Sequence, residues 1–344
     1  MGAALMETAH PAGRDLALYQ AVLEVKAGHW RTMDQVLAET RTWSQWTTRT
    51  QVLATQAAKN NVVSLWLKEK PNVAAGVMHA RVLTEQALKA HREGSPETPE
   101  QARILEELVD RAREACRRAD AAHPYDPVVP ICLLALAETD RTGRFPEYHE
   151  APPELEFDLP HGPWGLRKEA HRRDELCREA GHRMSRVLQA GPIPPHTTTK
   201  AVRLDFAHWA TYTVPRGSPL YLLPLYAHVE DYREQRDRGR SMPSQWWSSD
   251  TVRPVVRRAF ELWFSHCNLK TSSLTDLNYL AFALAAGDFD EEAGAVFRII
   301  GDYATPDPWR HVARHPDRWL EDFEKKRRAC LKRRRPPSPG GYRP

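Results

Sequence analysis

Apolar residues recur at helical spacing along most of the chain. The clearest case is the stretch 276–301, where two apolar stripes flank a Gly-Asp break at Gly287. The first stripe consists of Leu277, Leu280, Ala281 and Leu284, and the second of Ala293, Val296, Phe297 and Ile300. Residues at i, i+3, i+4 and i+7 share one face of a helix. The stretch therefore predicts two antiparallel amphipathic helices joined by a tight turn.

The same pattern continues through the rest of the chain. Residues 14–40 predict a further helical pair, with an apolar stripe at Leu16, Tyr19 and Leu23 before a break at Gly28. Apolar periodicity and proline stops predict other helices over 43–60, 62–70, 72–91, 99–122, 128–139, 166–189, 200–212, 220–235 and 255–267. No stretch sustains the alternation of apolar and polar residues that is typical of a strand. The chain is therefore predicted to be all-α, with little or no sheet.

Two segments lack any sustained period. Residues 143–165 contain five prolines, and residues 236–249 form a polar interval. Loops longer than about 15 residues are uncommon in compact domains and are often functional. Both segments are therefore predicted to be irregular and are candidate contact surfaces.

The helical pairs also predict how the chain is organised. Successive hairpins that cannot each bury their apolar face have to stack on their neighbours. Residues 1–324 are accordingly predicted to form a single solenoid-like domain, and residues 325–344 a basic tail rich in Pro and Gly.

The net charge of +4 comes from that tail. Residues 325–344 hold nine Lys or Arg and no Asp or Glu, which leaves 40 basic and 45 acidic residues in the rest of the chain. A short like-charged run before a Pro/Gly segment is typically a solvated end, and the mildly acidic body favours this interpretation. The alternative is a contact with nucleic acid or another polyanion. The candidate residues for it are Lys325, Lys326, Arg327, Arg328, Lys332, Arg333, Arg334 and Arg335.

Cysteine usage and hydropathy indicate a cytoplasmic protein. The five cysteines are an odd number, widely spaced and without a Cys-x-x-Cys pair, which fits reduced thiols. The N-terminal residues lack the features of a signal peptide, and no run approaches the ~18 apolar residues that a membrane span requires. Neither export nor membrane insertion is expected.

Motifs that would indicate a reaction are absent from the sequence. It contains no glycine-rich phosphate loop, no Gly-x-Ser-x-Gly and no His-Glu-x-x-His, so no cofactor or metal is expected. The nearest metal-like pattern is formed by His171, Glu175, Glu179 and His182. The alternative, which we favour, is a solvated charged face opposite the apolar stripe that contains Cys177. That cysteine is interpreted as a small core residue.

Aromatic residues in the irregular segments are candidates for binding a partner. Trp246 and Trp247, beside Arg240, could form an aromatic platform, since tryptophan offers a large contact area. Tyr148 and Trp164 are the corresponding candidates in the first irregular segment. The alternative, which we favour for the tryptophan pair, is that these side chains anchor a loop between helices.

Three segments together resemble a known class of helical proteins. Residues 287–293, GDFDEEA, resemble the G-D-Y-D-E-A turn of tetratricopeptide repeats. The segments 214–234, 276–309 and 100–130 resemble tetratricopeptide-like, all-helical proteins common in actinobacteria, over the last two thirds of the chain. Those proteins have no established activity, so the resemblance implies no catalytic residue. Because no fixed 34-residue period links the breaks, irregular stacked hairpins are expected rather than a regular superhelix.

The sequence thus predicts a protein- or peptide-binding scaffold of tetratricopeptide-like type. One alternative is an all-helical enzyme whose active site lies inside the helical core, where periodicity does not reveal it. A third is association with nucleic acid through the basic tail.

Overall fold

The structure is a computed structural model. It describes the backbone of Met6–Glu7 and residues 10–93, 98–140, 142–153, 159–193, 195–212, 214–239, 246–313 and 315–332. The described residues form sixteen α-helices and one pair of two-residue strands, which confirms the predicted all-α class. No helix among them combines the length and the apolar character that crossing a membrane requires.

Contacts divide the chain into two units, whereas the sequence predicts a single domain over 1–324. The N-terminal unit is His10–Leu220, and the C-terminal unit is Tyr221–Pro344 together with Met1–Ala9. The helices of the N-terminal unit are α1 Leu16–Lys26, α2 Arg31–Ala38, α3 Trp43–Ala57, α4 Val62–Glu69, α5 Val73–Glu93, α6 Pro99–Ala122, α7 Val128–Leu136, α8 Trp164–Arg173, α9 Arg178–Ala190 and α10 Thr199–Tyr212. Those of the C-terminal unit are α11 Leu223–Asp237, α12 Arg253–Ala259, α13 Leu274–Ala286, α14 Asp290–Ile300, α15 Trp309–Val312 and α16 Trp319–Lys332. Its strands β1 Met6–Glu7 and β2 Tyr303–Ala304 pair in parallel.

Helices of the N-terminal unit pack mainly on neighbours in the chain. Helix α1 packs on α2 and α3, α5 on α6 and α7, and α7 on α8 and α9. Buried apolar residues form one cluster among α1–α5 and another that includes residues of α5–α7 and α9. Helix α6 begins at Pro99, as the sequence indicates. Thr98 and Gln101, on either side of this first turn, form a capping box.

The hairpin α13–α14 has the predicted geometry. Both apolar stripes of residues 276–301 are buried, and the turn lies at Gly287. Ser273 is the N-cap of α13. Asn278 is fully buried and accepts a hydrogen bond from Trp309 Nε1 at 3.0 Å.

The orientation of α1 differs from the sequence prediction. Leu16, Tyr19 and Leu23 lie on the solvent side, with exposed fractions of 78%, 41% and 40%. The buried face consists of Leu18, Ala21, Val22 and Val25. Because apolar residues follow helical spacing on both faces of α1, periodicity predicts the helix but does not select the face that packs.

The predicted helix 166–189 is two helices separated by a turn at 174–177. Asp174 Oδ1 accepts a hydrogen bond from the backbone N–H of Leu176 at 3.1 Å. The backbone N–H of Cys177 donates to the Asp174 carbonyl oxygen at 3.0 Å. Such local bonds compete with the helical ladder and end α8.

In the first irregular segment, the described residues before Trp164 contain no long helix. Residues 146–148 form one short 3₁₀ turn, and Glu150 pairs with Gly162 in an isolated bridge. The basic tail, by contrast, begins inside a helix, since residues 325–332 belong to α16 and Cys330 is buried. Residues 325–332 are therefore helical, with most of their basic side chains exposed, and 333–344 lie outside the described part.

Candidate functional site

The N-terminal unit contains a cleft of about 430 Å³, which we call the tryptophan cleft. It lies where the start of α3 meets the turn between α8 and α9. Its lining residues are Thr40, Arg41, Thr42, Trp43, Ser44, Trp46, Asp174 and Leu176. The volume falls within the range of about 300–1,000 Å³ that is typical of ligand pockets.

The start of α3 sets the two indoles side by side. Thr42 is the N-cap of α3, and its hydroxyl accepts a hydrogen bond from the backbone N–H of Gln45 at 3.3 Å. Trp43 and Trp46 follow in the first turn at i and i+3, so their side chains are neighbours on the helix surface. Both indoles are half-buried, and both line the tryptophan cleft.

Trp46 is fixed by a buried carboxylate. Its Nε1 donates to the two carboxyl oxygens of Asp126, at 2.9 and 3.2 Å. Asp126 also accepts from the backbone N–H of Val128 at 2.8 Å. Burial raises the pKa of Asp126, and the bonds from Val128 and Trp46 oppose that rise. Both carboxyl oxygens of Asp126 therefore have donors, and we interpret this residue as one that holds Trp46 in position at the cleft.

Asp174 differs from Asp126 because one of its oxygens has no donor. Oδ1 accepts from Leu176, but Oδ2 is buried and has no hydrogen-bond partner among the described residues. The residue is only 9% exposed. Burial raises the pKa of this carboxyl, and the carboxylate of Glu175 raises it further. A hydrogen-bond donor or a cation beside this carboxyl would lower its pKa.

Arg173 holds the turn that carries Asp174. Its Nη1 donates to Asp120 Oδ1 at 2.6 Å and to the carbonyl oxygen of Asp126 at 2.9 Å, and its Nε donates to Glu169 at 2.7 Å. The turn at 174–177 is thereby tied to the α6–α7 connection, which also carries the acceptor for Trp46. One hydrogen-bonded framework thus positions both sides of the cleft.

The lining suits binding better than proton transfer. Among the described lining residues, Arg41 and Asp174 are the titratable ones, and Thr40, Thr42 and Ser44 contribute hydroxyl groups. Aromatic faces beside a carboxyl group are the features that recognise an organic cation.

The predicted partner-binding residues are mostly in the interior. Tyr148, Trp164 and Trp247 are buried, and Trp246 is half-buried, whereas Arg240 lies outside the described residues. Trp164 Nε1 donates to the carbonyl oxygen of Pro160 at 3.2 Å. Side chains in these positions pack the core, so a role for them in partner binding stays a prediction.

The predicted polyanion-binding residues lie partly on α16. Lys325, Lys326, Arg328 and Lys332 are exposed there, whereas Arg327 is half-buried and its Nη2 lies 3.3 Å from Asp302 Oδ1. Arg328 pairs with Glu324 one turn earlier. The other three residues, Arg333, Arg334 and Arg335, lie outside the described part of the chain.

The metal-like pattern is divided between two helices. His171 lies on α8, Glu175 lies in the turn, and Glu179 and His182 lie on α9. Glu179 is not on a solvated charged face, because it is buried and pairs with Arg81 of α5. Within the described ranges, no three His, Cys, Asp or Glu side chains are grouped closely enough to hold a metal ion.

That pair is part of a buried ionic network between α5 and α9. Arg183 donates to Glu85 at 2.8 Å and to Glu179 at 3.3 Å. Burial lowers the pKa of Arg81, but its hydrogen bond to Glu179 and the nearby charges, those of Glu179 and Glu85 among them, together raise the pKa overall. The network links the two helices.

The sequence contained only part of the signal for the tryptophan cleft. Thr42, Trp43 and Trp46 form a local pattern, namely an N-cap followed by two indoles on one face of the first turn. Asp174 comes from a distant turn inside an otherwise helical pattern. Only the packing of α8 and α9 brings it to the cleft.

Searches of known protein families, curated proteins and solved structures find no match to this chain. The resemblance to tetratricopeptide-like proteins therefore stays an expectation from the sequence.

Proposed function

We propose that this protein is a binding scaffold that takes a basic side chain of a protein or peptide partner into the tryptophan cleft. The observation that carries the proposal is the buried carboxyl oxygen of Asp174, which faces no donor of the described chain. A guanidinium or ammonium group would donate to this oxygen and lie against the indoles of Trp43 and Trp46.

The scaffold itself is proposed to be of the irregular, tetratricopeptide-like type. The support is that helices α1 to α10 pack mostly on partners one or two positions away in the chain. Stacked helical pairs pack in this way, and they hold binding residues on a rigid frame.

A calorimetric titration with N-acetyl-argininamide tests the proposal. Wild-type protein should bind this probe with a Kd in the millimolar range or below, and it should not bind N-acetyl-norleucinamide, which lacks the charge. Asp174→Asn should weaken binding by about tenfold or more, since a hydrogen bond to a charged group contributes roughly 1.5–3 kcal/mol. Arg41→Gln should strengthen binding, because it removes a like charge from the cleft.

Glu175→Gln is the matched control. It removes the same charge one residue further along, from an exposed side chain that does not line the cleft, and it should change the affinity little. If Asp174→Asn and Glu175→Gln lost the same amount of affinity, the effect would come from the general electrostatic field and not from a contact with Asp174. If Asp174→Asn strengthened binding and Arg41→Gln weakened it, the ligand would be an anion, and the proposal would be contradicted.

Association with nucleic acid through the basic C-terminal residues is a separate proposal. Deleting 325–344 would also remove buried Cys330, so replacing the exposed Lys325, Arg328 and Lys332 with Gln is the sharper test. If these residues bind nucleic acid, wild-type protein should retain duplex DNA at moderate salt and the variant should not. If the wild-type protein bound no duplex DNA above low salt, this function would be excluded.

A further inference from the structure

The C-terminal unit contains a second cavity, which the proposed function does not use. It has a volume of about 250 Å³, and we call it the arginine cavity. Its lining residues are Asp250, Arg253, Pro254, Arg257, Arg258 and Glu261. Three of the six carry a guanidinium, and all three belong to α12.

Arg253 and Arg257 share one aromatic platform. Their guanidinium carbons lie 4.7 and 5.5 Å from the centroid of the Phe289 ring. The two residues are four positions apart on one helix, so their side chains lie next to each other. A guanidinium stacked on a ring keeps its N–H edge available for an acceptor. Both arginines are exposed, whereas Phe289 beneath them is buried.

This pair of charges is not neutralised within the described chain. Asp250 and Glu261 line the same cavity, yet neither Arg253 nor Arg257 has a carboxylate oxygen within 4.0 Å among the residues described. Like charges at i and i+4 repel each other. An anion held between the two guanidinium groups would remove that repulsion.

The geometry favours a compact anion with several oxygens. Two adjacent guanidinium groups offer two sets of parallel donors, and a phosphate group has enough acceptors for both, whereas one carboxylate is satisfied by a single guanidinium. The third guanidinium, of Arg258, lies 5.7 Å from the ring of Tyr221 and faces the same cavity. The volume is smaller than the roughly 300 Å³ at which small-molecule pockets begin, so the cavity has room for a head group only.

We infer that Arg253 and Arg257 form a binding site for a phosphate dianion, either free or as the monoester of a small molecule. The two arginines bind the phosphate oxygens, and Phe289 holds the guanidinium planes in place. This site is independent of the tryptophan cleft, so either can fail without the other.

The test is a calorimetric titration of the full chain with inorganic phosphate and with methyl phosphate at constant ionic strength. Wild-type protein should show saturable binding with a Kd in the millimolar range or below. Arg253→Gln/Arg257→Gln should bind at least tenfold more weakly. Arg257→Lys, which keeps the charge but not the planar fork, should also bind more weakly. Preference for methyl phosphate would assign the site to an ester, and equal affinities would assign it to the phosphate group alone.

The matched control is Arg117→Gln/Arg118→Gln, which removes two exposed charges from α6 and should leave phosphate binding unchanged. Absence of saturable binding in the wild type, or equal binding by Arg253→Gln/Arg257→Gln, overturns the inference. Binding of duplex DNA that inorganic phosphate does not displace, and that is lost in the same variant, would reassign these arginines to nucleic acid and also overturn it. Circular dichroism of each variant confirms that the helices are retained.

Discussion

At the scale of single residues, Asp174 is the most informative side chain of the N-terminal unit. It is needed locally, because its Oδ1 and its carbonyl oxygen form the turn that separates α8 from α9. Its Oδ2 contributes nothing to that turn and lies buried without a donor of the described chain. A residue that serves only the turn could have been Asn, whose side-chain oxygen makes the same bond.

The raised pKa of Asp174 predicts how Asp174→Asn changes stability with pH. The folded chain binds the carboxyl proton more tightly than the unfolded chain, in which the pKa is about 3.9, so this residue lowers stability as pH rises from that value through the folded pKa. Asp174→Asn should therefore be at least as stable as wild type at pH 7. Below pH ~3.9 the difference should vanish, because the carboxyl is neutral in both states. Urea denaturation of both proteins across this range measures the difference. If the stability of Asp174→Asn relative to wild type is lower at pH 7 than at pH 3, the raised pKa of Asp174 is contradicted.

The ionic network between α5 and α9 predicts a larger effect. Glu179→Gln leaves Arg81 buried without its counter-charge and should lower the free energy of unfolding by about 3–5 kcal/mol. Glu114→Gln, in the exposed pair with Arg117, is the control and should cost less than about 1 kcal/mol. Replacing both members of the buried pair, as in Arg81→Met/Glu179→Leu, should recover most of the loss. Similar urea midpoints for Glu179→Gln and Glu114→Gln would show that the buried pair is not important for stability.

At the scale of elements, the turn between α13 and α14 shows why a small residue is required. A Cβ at Gly287 would lie 3.1 Å from the carbonyl oxygens of Ala283 and Trp247, and 3.3 Å from the Phe289 ring. Two of these three contacts are to backbone atoms, which cannot rotate aside as the end of a side chain can. The Gly-Asp break that predicts the turn therefore also marks a close approach of two segments.

Gly287→Ala should destabilise the C-terminal unit by about 1–3 kcal/mol, as overpacking does elsewhere. Gly76→Ala on α5 is the matched control, because a Cβ there would meet no atom within 4 Å. That substitution should stabilise its helix by about 0.5–1 kcal/mol, since Ala favours a helix more than Gly. Thermal unfolding of the two variants should give shifts of opposite sign, and shifts of the same sign would contradict this description.

Elements whose signals are local could be predicted from the sequence. The helix start at Pro99, the helix end before Pro71 and the hairpin at Gly287 each depend on neighbouring residues, and the structure confirms them. The exposed face of α1 and the break at Asp174 could not be predicted in this way. Both depend on which surface packs against the rest of the unit, and the sequence pattern allows more than one solution.

At the scale of the whole molecule, the same distinction applies to the candidate sites. The all-helical class follows from periodicity, but the division into two units depends on long-range contacts that no motif marks. The aromatic residues that were conspicuous in irregular segments, Tyr148, Trp164 and Trp247, are buried. Trp43 was less conspicuous because it stands in a regular helical pattern. A binding surface formed by side chains from distant turns is visible only after folding.

The measurement that tests the account most directly is the pKa of the Asp174 carboxyl by NMR, with and without N-acetyl-argininamide. We expect a pKa above the ordinary aspartate value of about 3.9 in the free protein, because the carboxyl is buried beside Glu175 and lacks a donor at Oδ2. Saturation with the probe should lower this pKa, since the guanidinium favours the charged carboxylate. An ordinary pKa in the free protein, or a raised pKa that the probe leaves unchanged, would contradict the assignment of the tryptophan cleft as a site for basic side chains.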